Sequence, residues 1–177
     1  MKKIFKLTLT ALLLIVVSLS LIGCASSEYK TMRKDLEKNG IYNAQYGSYT
    51  IELTSKIDYY CYDDSDNIWL SYFNYSSGSL SFFIHFDEKL SGEYKWSMKY
   101  DNYKLEGIVD ASEVDYYTDS LSYDISKSTV STSASVNSNL KKLAALACKQ
   151  CLIALETYFI ESDLDVSIKD IGFNYDI

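Results

Sequence analysis

The chain is 177 residues long and carries 17 Lys and Arg against 24 Asp and Glu, a formal charge of −7, with one His, no Pro, 7 Gly and 17 Tyr. The acidic balance repels phosphate backbones and anionic lipid heads, which argues against nucleic acid and against an electrostatic membrane-binding face. Tyr at this abundance favours strands, and the lack of Pro removes the usual composition of an interdomain linker.

Met1-Lys2-Lys3-Ile4-Phe5-Lys6 is a cationic opening, followed by an uncharged, mostly apolar run from Leu7 to Ile22 and the small residue Gly23. That order matches a secretory leader. A retained membrane span is the weaker reading: crossing the hydrocarbon takes roughly 20 apolar residues, and this run is 16 long and interrupted by Thr8, Thr10, Ser18 and Ser20. Leu21-Ile22-Gly23-Cys24 resembles the lipobox of bacterial lipoproteins, in which a large aliphatic, a variable and a small residue precede an obligatory Cys. The resemblance implies transfer of a diacylglyceryl group to the Cys24 thiol and cleavage before Cys24. The mature chain is then held by lipid on the extracytoplasmic side of a cell membrane. A second acyl chain turns marginal binding into stable anchoring. Cys24 is therefore expected to be an anchor rather than a disulfide partner.

Removing residues 1–23 leaves 154 of the 177, the size of one domain. The expected organisation is a cleaved leader over 1–23, a lipidated tether over 24–27 and a single domain over 28–177. Lys2, Lys3 and Lys6 leave with the leader, so 14 of 17 basic residues remain against 24 acids, a formal charge of −10.

Along the mature chain, Tyr29, Met32 and Leu36 recur at helical spacing between Ser27 and Asn39, with Gly40 at the position of a C-terminal cap. Tyr49, Ile51 and Leu53 alternate with polar residues as in a half-buried strand, Ile57 to Tyr62 continues it or forms its own strand, and Asp63-Asp64-Ser65-Asp66-Asn67 reads as a turn. Two hairpins follow. Ile68 to Tyr75 and Ser79 to Phe86 flank Ser76-Ser77-Gly78, while Tyr94 to Tyr100 and Tyr103 to Val109 flank the two-residue turn Asp101-Asn102. That turn length places Tyr100 opposite Tyr103, Met98 opposite Leu105, Trp96 opposite Gly107 and Tyr94 opposite Val109, with Lys95, Ser97, Lys99, Lys104 and Glu106 on the other side.

Further strands are predicted over Val114 to Tyr117, Leu121 to Ile125, Val130 to Val136 and Val166 to Ile177. Between them lies the strongest helix, whose stripe of Leu140, Leu143, Ala144, Ala147, Cys151, Ala154, Leu155 and Tyr158 opposes Lys141, Lys142, Lys149, Glu156 and Glu161, with Asn137, Ser138 or Asn139 as its cap. The expected fold is α+β: an antiparallel sheet of hairpins, one long helix packed on a face towards the C-terminus, and a short N-terminal helix.

Few residues suggest chemistry. Cys148-Lys149-Gln150-Cys151 has the spacing of redox and metal pairs, but it sits inside a helix rather than at a helix N-terminus, and a zinc site lacks two ligands. Two buried thiols are the expected use, with a disulfide from Cys61 to one of them as the alternative. Ser138-x-x-Lys141 and Ser65-Asp66-Asn67 spell β-lactamase motifs in reversed order and without K-T-G, so a helix start and a turn are the better readings. Asp63, Asp64 and Asp66 suit Ca²⁺ in charge but lack the Gly and distal Glu of an EF-hand loop. No nucleophile elbow accompanies the single His85 and Asp124; His85 alternates with Ile84 and Phe86 and is expected on the second face of the sheet. No catalytic residue, metal or cofactor is assigned.

Trp69, Phe73, Tyr75 and Phe83 have opposite parity to Leu70, Tyr72, Phe82 and Ile84, so the first hairpin is apolar on both faces. One face is expected against the long helix. The other is either covered by the N-terminal helix and loops or is an aromatic surface for an envelope protein, peptide or glycan, with Trp69, Phe73, Tyr75 and Phe83 as the candidate ligand-binding residues. The function expected from these features is a lipid-anchored, non-catalytic binding or envelope-interaction module. A small envelope hydrolase with dispersed site residues is one alternative, and a structural or inhibitory partner of another envelope protein is the other.

Overall fold

The computed structural model describes residues 25–62, 67–74 and 79–174. The leader with Cys24, the acidic turn at 63–66, the turn at 76–78 and Tyr75 lie outside the described residues, as does the side chain of Cys61. Among the described residues, seven strands form one antiparallel sheet in chain order: β1 (Ile41–Asn43), β2 (Ser48–Thr54), β3 (Ile57–Tyr62), β4 (Asn67–Asn74), β5 (Leu80–Phe86), β6 (Glu93–Tyr100) and β7 (Tyr103–Asp110). Among the described residues, two α-helices, α1 (Ser27–Asn39) and α2 (Ala134–Glu161), complete the α+β fold expected from the sequence.

Each strand pairs with its neighbour in sequence, and alternation assigns the two faces. Leu80, Phe82, Ile84 and Phe86 of β5 are buried, as are Tyr94, Trp96 and Met98 of β6 and Leu105 and Val109 of β7. The four pairs expected for the second hairpin are the pairs formed, and Asp101 takes the positive φ that its two-residue turn requires. Gly107, opposite Trp96, leaves room for a crossing chain. A Cβ there would stand 2.5 Å from the Ser122 carbonyl oxygen and 2.7 Å from Trp96 Nε1.

Both helices lie on the same face of the sheet, so the N-terminal helix does not cover the second face. α1 starts where the Ser26 hydroxyl accepts the Tyr29 N–H at 3.0 Å, and it buries Tyr29, Met32 and Leu36. It ends where the Gly40 N–H donates to the Leu36 carbonyl at 2.8 Å. The Tyr158 hydroxyl of α2 donates to the buried Asp35 carboxylate of α1 at 2.6 Å and ties the helices together. Desolvation and the Asp35 carboxylate push Tyr158 up to about 12.

α2 begins at Ala134, with Ser133 as its cap, so Asn137, Ser138 and Asn139 lie inside the helix instead of capping it. Asn137 turns back instead: its carbonyl oxygen accepts the Ser131 N–H and its amide donates to the Ser131 carbonyl. The buried stripe runs through Leu140, Ala144, Ala147, Cys148, Cys151, Leu152, Leu155 and Phe159. It is rotated towards Cys148 and Phe159 from the stripe read off the sequence, and Leu143, Ala154 and Tyr158 are only half-buried. By length and composition α2 could cross a membrane, but its apolar stripe is spent on the sheet, as in a core helix.

Four predicted strands do not form, because local side chains satisfy the backbone that a ladder would use. Around Val114 to Tyr117, Asp115 accepts the N–H groups of Tyr117 and Thr118, closing a turn. Leu121 to Ile125 and the residues from Val130 to Ser133 belong to a connection with one 3₁₀ turn at Ile125–Lys127 and a single bridge between Thr129 and Lys104, and the rest of the predicted Val130 to Val136 strand is the first turn of α2. Val166 to Ile177, as far as residue 174, is a series of turns with Gly172 at φ 98°. Val166, Ile168, Ile171 and Phe173 are still buried; Phe173 stacks on Tyr94, whose hydroxyl donates to the Ile171 carbonyl at 2.7 Å.

Candidate functional site

The face of the sheet away from the helices is organised in cross-strand rows. Pairing aligns Trp69, His85, Lys95 and Ile108 across β4 to β7, and beside them Ser71, Phe83, Ser97 and Glu106. The β4–β5 half of these rows is aromatic. The Trp69 and His85 rings lie 3.2 Å apart between centroids, Phe83 meets Trp69 edge-on at 6.2 Å, and Phe73 meets Phe83 edge-on at 5.5 Å. Trp69, Phe73 and Phe83 are each half-buried, neither covered nor fully exposed.

The β6–β7 half is charged and ends in a wall. The connection after β7 returns along its outer edge, where the Asp124 N–H donates to the Glu106 carbonyl at 2.8 Å and the Glu106 N–H donates to the Ser128 hydroxyl at 3.1 Å. Leu121 is buried, and the Lys141 ammonium of α2 lies 5.2 Å over the Tyr123 ring, so this wall is held to the body of the domain. Trp69, His85, Lys95, Ser97, Glu106, Ile108, Asp124 and Lys127 are among the residues that enclose a cleft of about 630 Å³. That volume suits a small ligand or a short segment of a larger one.

The charges in the cleft do not cancel evenly. Lys104 pairs with Glu106, and Lys127 lies 3.6 Å from Asp124. Among the described residues Lys95 makes no ion pair and no side-chain hydrogen bond. Burial, and secondarily the Lys95 charge, hold His85 down to about 4, against a weaker opposite pull from Glu106. His85 is therefore neutral at physiological pH; its ring lies against the Trp69 ring, and among the described residues no carboxylate or hydroxyl is hydrogen-bonded to its side chain.

Of the candidates read from the sequence, Trp69 lines the cleft, Phe73 and Phe83 extend its aromatic side, and Tyr75 lies outside the described residues. His85 lies on the second face as expected. Lys95, Glu106, Asp124 and Lys127 carry no sequence signal of ligand binding. The available signal was Ile108, an aliphatic residue on the polar side of its hairpin and 61 % exposed.

Cys148 and Cys151 are elsewhere, on α2 under the sheet, and both are buried free thiols. Burial pushes Cys148 up to about 12 and Cys151 well above the usual thiol range, so neither is a thiolate nucleophile near neutral pH. Among the described residues no three His, Cys, Asp or Glu side chains are grouped to hold a metal ion. In comparison with known proteins, the chain matches no family model, no curated protein and no solved structure.

Proposed function

We propose that the protein is a lipid-anchored, extracytoplasmic binding module that takes its partner into the cleft on the open face of the sheet and performs no chemistry of its own. The observation that carries this reading is the juxtaposition in one cleft of the Trp69 and His85 rings, in contact and tilted 42° to each other, with a Lys95 that makes no ion pair among the described residues. An apolar ring or side chain packs on the indole, and an acidic group meets the ammonium without displacing an existing ion pair. The partner class that fits is an envelope peptide, protein segment or glycan bearing a carboxylate. The hydrolase alternative has less support, since His85 is neutral but among the described residues no acid or hydroxyl is arranged with it as a relay. Metal or cofactor chemistry plays no part in the proposal.

The test is recovery of envelope components on immobilised mature protein, comparing the native sequence with Trp69→Ala after circular dichroism shows that the variant is folded. The expected result is recovery of one dominant partner by the native protein and at least a tenfold loss with Trp69→Ala, a change of about 1.4 kcal/mol. Undiminished recovery by a folded variant would remove the cleft from consideration.

A further inference from the structure

Ser26 is two residues after the cysteine read as the lipid anchor, and it is already fixed in the fold. Its N–H donates to the Glu88 carbonyl in the β5–β6 connection at 2.8 Å, and its hydroxyl caps α1. Ala25 packs against the core, and α1 is held to the sheet by the fully buried Met32 and Leu36. Two extended residues span about 7 Å, so Cys24 cannot be farther than that from Ser26. The usual polar stalk between anchor and domain has no room in this chain.

We infer that the tether has no slack, and that the domain stands on the bilayer on the β5–β6 end of its sheet, with the cleft opening beside the lipid headgroups. The inference rests on the reading of Cys24 as the anchor. The same end gathers the β5–β6 connection, the C-terminal end of β7 and the turn before residue 174: the Ala111 N–H donates to the Gly92 carbonyl, Asn174 donates to the Ser112 carbonyl, and Gly172 comes against Gly92. The opposite end is the Asp101-Asn102 turn, about 25 Å away along the eight residues of β6 at roughly 3.3 Å each. His85 and Lys95 lie within two residues of the anchored ends of their strands, and that places the near edge of the cleft about 7 Å from those ends, while its far edge at Lys104 runs towards the Asp101-Asn102 turn. Charge does not drive this orientation, because Asp87 and Glu88 of the β5–β6 connection, Glu93 at the start of β6 and Asp110 at the end of β7 outweigh Lys89. The tether does. The partner is accordingly met at the membrane surface rather than at a distance from it.

The experiment uses the full chain processed to its lipidated form and reconstituted in phosphatidylcholine vesicles carrying nitroxide headgroups. A fluorophore is attached at Lys89→Cys or at Asn102→Cys, in a Cys61→Ser background; the buried thiols of Cys148 and Cys151 do not compete for label. The expected result is several-fold stronger quenching at position 89 than at 102, and near-equal quenching once a flexible spacer of about twelve Gly and Ser residues is inserted after Ala25. Equal quenching with the native tether in vesicle-bound protein overturns the orientation and leaves the anchor standing. Failure to float with vesicles, or flotation undiminished by Cys24→Ala, removes the anchor and the inference with it.

Discussion

The two faces of the sheet use the same aromatic residue types to opposite ends. On the helix side, Phe82 stacks on Trp96 at 5.9 Å, Phe86 and Tyr94 pack on Phe173, and all of these rings are lost to solvent. On the open side, Trp69, Phe73 and Phe83 touch one another but keep part of each ring exposed, beside charged residues instead of beneath a helix. Aromatic content therefore does not distinguish core from open surface; what packs over the ring does. The helix face carries the stability of the domain, and the open face is free to carry specificity.

Substitution on the covered face should have the largest effect on folding. Phe82→Ala removes a fully buried ring from the stack with Trp96 and is expected to cost about 3–5 kcal/mol, read from the urea midpoint of the mature domain. A loss below about 1 kcal/mol would mean that the helix-covered layer is not the core.

A smaller, pH-dependent effect is expected from the open face. The His85 imidazole is held at about 4 when folded, below its usual 6.5, so the unfolded chain takes up the proton first as pH falls. The corresponding stability is fully present above pH 6.5 and is lost as pH drops through 4. It amounts to something on the order of 2 kcal/mol after allowance for partial exposure. Carboxylates titrate in the same range, so the informative quantity is the difference between the native protein and His85→Gln from pH 7.5 to 4. That difference should shrink on acidification; parallel curves would show that His85 is not desolvated in the cleft.

The contrast between the faces also explains what could be read in advance. The β6–β7 register followed from two local facts, a two-residue turn and strict alternation, and the core face of that hairpin was legible for the same reason. The segment from Ala111 to Ser133 was not. Its β-branched and aromatic residues resemble strands, yet Asp110, Asp115 and Asp124 each close a turn on a following N–H group, and its contacts with β7 and α2 are long-range. The candidate site divided in the same way. Trp69 and His85 could be placed by parity, whereas Lys95 and Glu106 looked like an ordinary solvated side of a hairpin until the returning chain walled them in. The start of α2 is not legible in the sequence because the Asn137 side chain, a good cap by type, binds Ser131 from inside the helix.

The smallest expected effect on stability accompanies the most direct test of the proposed function. Lys95 is exposed and makes no ion pair among the described residues, so Lys95→Glu should change the unfolding free energy from urea denaturation by no more than about 0.5 kcal/mol. The measurement is the affinity of this variant for the partner recovered from the envelope fraction, set beside that of the native protein in the same buffer. The account predicts unchanged folding with at least a tenfold loss of affinity, larger at low ionic strength. Native affinity in the folded Lys95→Glu variant would contradict the assignment of the cleft as the binding site.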